Sequence, residues 1–157
     1  MGASNRAGMG VAELFGVLAV VVAIAFAFYY YVDNRAAEGK RTLTIRRMQV
    51  LEDALARYMI DCGGALPTPK QGLRALLERP DRAPVPRGWN GPYVKGPALL
   101  RDGWGRPFRY YRPGGSDPSD PARLRPYDLA SCGCDGQEGG EALDRDIHSW
   151  DRATMAP

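Results

Sequence analysis

Five carboxylates crowd residues 135–146: Asp135, Glu138, Glu141, Asp144 and Asp146, interleaved with Gly136, Gly139 and Gly140. Hard carboxylate and main-chain oxygens on a flexible loop are what calcium takes, about six to eight at a time. So many like charges repel one another unless a cation joins them. The spacing is not that of an EF-hand, and a merely solvated acidic loop has the same composition. The thiols are Cys62, Cys132 and Cys134, with no C-x-x-C pair, and His148 is the only histidine, so a four-ligand zinc site lacks residues. A bridge from Cys62 to Cys132 or Cys134 in an oxidising compartment and three buried thiols are both open readings, whereas a Cys132–Cys134 bridge would be strained. Asp146 and Asp151 neighbour His148, but no G-x-S-x-G nucleophile motif is present and no catalytic residue is assigned. A last carboxylate, Glu13, stands at the lip of an apolar run, where it is costly in lipid without a partner.

That run positions Glu13. Leu14 to Val32 is 19 residues without a charge, a proline or an amide. As a helix it measures about 28 Å, close to the roughly 30 Å hydrocarbon core of a bilayer. Tyr29, Tyr30 and Tyr31 near its far end suit an interfacial belt. The run is long for a secretory h-region, and Asp33-Asn34-Arg35 after it offers no small-x-small cleavage site, so it reads as an uncleaved anchor. Arginine at position 6 excludes the myristoylation motif. Residues 33–60 continue without a breaker other than Gly39. Met48, Leu51, Leu55, Tyr58 and Met59 fall at helical spacing, opposite Arg46, Arg47, Glu52, Asp53 and Arg57. The pattern predicts one helix from Met9 to Ile60, apolar all round in its first half and amphipathic in its second, ended by Cys62-Gly63-Gly64.

The remainder is one small domain rich in proline and glycine. Thr68, Pro69 and Gln71 make an N-cap, a first-turn proline and a capping box, predicting a short helix Pro69–Glu78 stopped by Pro80. A loop over 80–107 carries Trp89, Tyr93 and Trp104; these and Trp150 are expected to be core. Strands are predicted at Phe108–Tyr111, Tyr127–Ser131 and Ile147–Trp150. The net charge is +3, yet from Gly115 onward nine acidic and four basic side chains sum to −5. An acidic tail suggests a cation more than a nucleic acid, and no basic run with interleaved aromatics appears.

Several short segments are specific in their order and spacing: Gln71-Gly72-Leu73-Arg74-Ala75-Leu76, Gly91-Pro92-Tyr93-Val94-Lys95, Asp102-Gly103-Trp104-Gly105-Arg106-Pro107-Phe108, Asp135-Gly136-Gln137-Glu138-Gly139-Gly140 and Asp146-Ile147-His148-Ser149-Trp150. With them the chain resembles the major pseudopilins of bacterial type II secretion, within the type IV pilin-like superfamily, from Gly8 to Trp150. It departs from that pattern at Gly10-Val11-Ala12 before the glutamate, in lacking a proline within the apolar helix, and at Gly103, where the family has proline.

The resemblance implies an α+β fold: a long N-terminal helix, its first half in the membrane, packed on a small antiparallel sheet with a long αβ loop. It divides the chain into a leader 1–8, a transmembrane and assembly segment 9–32 and a periplasmic domain 33–157. It implies cleavage by prepilin peptidase after Gly8, methylation of the new terminus Met9, and Glu13, fifth from Met9, as the residue that pairs with a neighbouring subunit's amino terminus. It further implies calcium, with Asp135 and Asp146 matching aspartate ligands and Cys132 and Gln137 matching main-chain ligands. One further family aspartate aligns near Arg145, where Asp144 is the available carboxylate. The implied function is structural and non-enzymatic: a filament subunit of the inner membrane and periplasm that drives protein export across the outer membrane. Its implied partners are further copies, minor pseudopilins, the assembly platform and its ATPase, and membrane lipid. The alternative is an anchored periplasmic calcium-binding or adaptor module that does not polymerise, or a minor pseudopilin or pilin paralogue.

Overall fold

One helix, α1, runs from Val11 to Asp61 with no proline to interrupt it. The computed structural model describes residues 10–113 and 125–151. The chain divides into two units, Met1–Ala36 and Ala37–Pro157. Gly8 and Met9, assigned above to cleavage and methylation, lie outside the described residues. Glu13 reaches back one turn to accept from the Gly10 N–H at 3.1 Å, half of a capping box, with its charge in the first turn where the helix dipole favours it. At the other end Gly64 N–H donates to Met59 O at 2.8 Å and Gly63 N–H to Ile60 O at 3.3 Å. This is a Schellman closure, placed where Cys62-Gly63-Gly64 predicted a stop.

Within the first unit, the apolar side chains from Val11 to Val32 are exposed. This part of α1 is long and apolar enough to cross a membrane. Arg35 donates to the Tyr31 hydroxyl at 3.2 Å and lies 5.3 Å from its ring centroid, joining a charge to the aromatic belt.

Within the second unit, α1 buries Thr44, Ile45, Met48, Leu51, Ala54, Leu55 and Tyr58, the face that the periodicity predicted, with Met59 half-buried beside it. This face packs against Leu66, Leu73, Leu76, Tyr93, Val94, Phe108, Leu129 and Ile147. Each large apolar side chain so buried contributes about 1.5–3 kcal/mol of transfer free energy. The three strands are antiparallel in the order β1 (Arg109–Tyr111), β2 (Asp128–Ser131), β3 (Ile147–His148). Arg109 faces Ala130, Tyr111 faces Asp128, and Ser131 faces Ile147. The middle strand is buried along its whole length.

Two expectations are corrected. The predicted α-helix Pro69–Glu78 is a 3₁₀ turn, Gly72–Leu76. The capping box does form, with Thr68 N–H on Gln71 Oε1 at 2.9 Å and Gln71 N–H on Thr68 Oγ1 at 3.3 Å. However, Gly72 follows at φ 59°, a left-handed conformation that ends any α-helix there, and the turn restarts in the tighter form. Trp150 is not core: it is 41% exposed, with the Arg125 guanidinium 4.3 Å from its ring centroid. Tyr93 is buried and Trp89 and Trp104 pack on the core as expected. A second 3₁₀ turn, Pro97–Leu100, lies inside the proline-rich loop.

Candidate functional site: the acidic loop after β2

The loop from Cys132 to Asp146 joins β2 to β3, so both of its ends are fixed by sheet pairing. At its start Ser131 Oγ donates to the buried Asp102 Oδ2 at 2.8 Å. The other carboxylate oxygen of Asp102 accepts the N–H groups of Trp104 and Arg106, both at 2.9 Å. The turn 102–106 and the end of β2 therefore share one carboxylate.

Inside the loop the backbone bonds to itself. Gly136 N–H donates to Cys132 O at 2.9 Å, Cys134 N–H to Leu143 O at 3.1 Å, and Asp146 N–H to Gly139 O at 3.3 Å. Asp135 Oδ1 accepts from Gln137 N–H at 3.0 Å, and Asp146 Oδ2 from Gly139 N–H at 3.0 Å. The remaining oxygen, Asp146 Oδ1, is buried and accepts no hydrogen bond. A buried carboxylate oxygen left this way is costly, and a cation would satisfy it.

Two arginines reach into this loop. Arg109 forms an ion pair with Glu138. Arg106 sends Nη1 to Gly133 O and Nη2 to Cys134 O, both at 2.9 Å. Its targets are main-chain carbonyls 27 and 28 residues away, which no side-chain pattern announces.

The proposed ligands are brought together only in part. Asp135, Gln137 and Asp144 are exposed, while Cys132 and Asp146 are withdrawn from solvent. Among the described residues no three His, Cys, Asp or Glu side chains converge as a metal cluster. A cation here would have to combine the carboxylates of Asp135 and Asp146 with main-chain oxygens, as calcium accepts. The orphaned Asp146 oxygen and the hard donor set fit that ion. Burial pushes the Cys132 thiol above its ordinary value. All three cysteines are free thiols, and burial also raises that of Cys62.

At the edge of the loop His148 Nδ1 lies 3.5 Å from Asp128 Oδ2, and this contact raises the imidazole above its ordinary value against the opposing effect of burial. Asp146 and Asp151, its neighbours in sequence, push the imidazole in the same direction through their charge. Ser149 Oγ donates to Asp128 Oδ1 at 3.1 Å, so its proton points at a carboxylate and not at the imidazole a nucleophilic serine would need.

The family model described as type II secretion system (T2SS), protein G matches residues 31–150. The chain is 33% identical over 148 residues to the type II secretion system core protein G of Pseudomonas aeruginosa, covering 94% of this chain and 96% of that one. It is also 33% identical over 141 residues to the protein of the same name from Vibrio cholerae, covering 87% and 88%. The crystal structure of the major pseudopilin from the type 2 secretion system of enterohaemorrhagic Escherichia coli superposes with a TM-score of 0.55 at 30% identity, over 72% of this chain and 88% of that one.

Proposed function

This chain belongs to the type II secretion system protein G family, and from that membership we infer that it is a structural subunit of a type II secretion pseudopilus. The observation that carries the reading is α1, whose residues 11–32 expose apolar side chains while residues 44–58 bury one face in a small α+β domain. Such a helix leaves a lipid- or helix-seeking surface that a monomer in water cannot satisfy. Residues 1–8 act as a leader removed by prepilin peptidase after Gly8, and Met9 is then methylated. The mature chain spans the inner membrane once, with 33–157 in the periplasm. Copies join through their apolar helices, Glu13 pairing with the amino terminus of a neighbour, which repays the cost of a carboxylate at that depth. Minor pseudopilins, the assembly platform and its ATPase are the partners, and the chemical work of ATP belongs to them. Calcium is held by Asp135, Asp146 and the main-chain oxygens of Cys132 and Gln137, with Asp144 beside them. It would supply charge neutralisation and fix the loop between β2 and β3.

The test is assembly. Expressed with its secretion machinery, the chain should form filaments visible by electron microscopy of sheared cells. Gly8→Leu should leave an uncut precursor in the membrane and no filaments; filaments built from that variant would contradict the reading.

A further inference from the structure

Arg106 is anchored at both ends. Its N–H donates to Asp102 Oδ1 at 2.9 Å, and Asp102 is itself tied to Ser131 at the end of β2. Its guanidinium then takes two successive carbonyls, Gly133 O and Cys134 O, each at 2.9 Å. A planar fork suits two such acceptors, which a single ammonium would not span. The loop closes tightly over it: a Cβ on Gly136 would stand 2.7 Å from Arg106 Cζ. Gly136 also sits at φ 78°, where a side chain would be strained, and a Cβ would have to displace the guanidinium. The carbonyls at 133 and 134 are thus turned toward Arg106, which ties the backbone between Cys132 and Asp135 at two successive points.

We propose that Arg106 is a positioning residue for the acidic loop, holding it in its cation-ready shape before any cation arrives. The proposal rests on the calcium reading above only for what the loop binds; the preformed shape stands apart from it. A loop already ordered loses less entropy on binding, so its affinity is higher. The positive charge of Arg106 works the other way, by repelling a nearby cation. Arg106→Lys separates the two effects, since it keeps the charge and the Asp102 turn but loses the fork.

The experiment uses the full chain in detergent micelles. In chelator, hydrogen exchange is followed at Cys134, Gly136, Gln137 and Gly139 in wild type, Arg106→Lys and Arg106→Gln. Both variants should exchange about tenfold faster or more at these amides, with β2 and α1 unchanged. Calorimetric titration with calcium chloride should show Arg106→Lys binding roughly tenfold more weakly, the usual consequence of losing a group that orients ligands. Equal loop exchange in wild type and both variants overturns the proposal. So does acceleration spread evenly over β2 and α1, or failure of both variants to fold, either of which marks Arg106 as a general stabiliser. Slow loop exchange in a wild type that takes up no calcium removes the calcium reading and leaves the preformed loop.

Discussion

At Gly103 the chain meets itself so closely that no side chain fits. A Cβ there would lie 2.1 Å from Lys40 O, and the Gly103 N–H donates to the fully buried Thr44 Oγ1 at 2.8 Å. Thr44 in turn donates to Lys40 O at 2.8 Å. The glycine at this position is therefore matched by a hydroxyl on α1. Gly103→Pro should destabilise the chain by about 3 kcal/mol or more, by overpacking and by removing a buried donor. Urea unfolding in micelles reads this, and wild-type stability in the variant would show that the contact yields freely. Asp135 and Asp146 carry the second expectation. Calcium should raise the melting temperature relative to chelator, by mass action on the folded state. Asp135→Ala or Asp146→Ala should abolish the rise, whereas Asp53→Ala, exposed on α1, should keep it. Magnesium should replace calcium poorly because it demands a tighter octahedral shell. An identical melting temperature in calcium and chelator would leave the loop as solvated acid. These acidic residues were legible because charge and glycine concentrate in one segment. Arg106 was not, since a carbonyl acceptor leaves no mark in the sequence.

Among the elements, α1 was the most legible, because its apolar run, its 3.6-residue periodicity and its double-glycine stop agree. Its buried face gives a direct expectation. Leu51 is fully buried, and Leu51→Ala should cost about 2–5 kcal/mol by loss of transfer free energy and creation of a cavity. A loss under about 1 kcal/mol would mean that the core collapses around the gap. Glu13 belongs to the other end of the same element. Its bond to Gly10 N–H is a local cap, worth about 1 kcal/mol at most on an exposed helix start. Removing it should therefore leave α1 formed. Glu13→Leu should remain membrane-bound with unchanged helicity by circular dichroism, yet fail to assemble. Filaments as abundant as wild type would reduce Glu13 to its capping role. The segment after Thr68 was read correctly as a capped turn and incorrectly as an α-helix. The capping box fixes the start, but the left-handed Gly72 then decides the element. The strands were legible to within two residues at either end, since Tyr, Phe and Leu alternate there between polar loops.

On the scale of the whole molecule, β1, β2 and β3 have only three, four and two residues. Arginines do much of what a larger sheet would do. Arg47 donates to Asp102 O at 2.9 Å, Arg57 to Tyr93 O at 2.9 Å, Arg106 to the acidic loop, and Arg112 to Leu66 O at 2.7 Å. Each ties a loop carbonyl to α1, to the sheet or to another loop, satisfying acceptors that no strand reaches. A domain held this way stays small while presenting its loops in fixed positions, as a repeating subunit requires. The proposed function requires that the chain be made as a precursor and mature into such a subunit. The most direct measurement is the intact mass and N-terminal sequence of the chain extracted from membranes of cells that carry the secretion machinery. The expected product begins at Met9 and carries one methyl group on its amino terminus. A chain that retains Met1 to Gly8, or one that begins beyond Glu13, would contradict it.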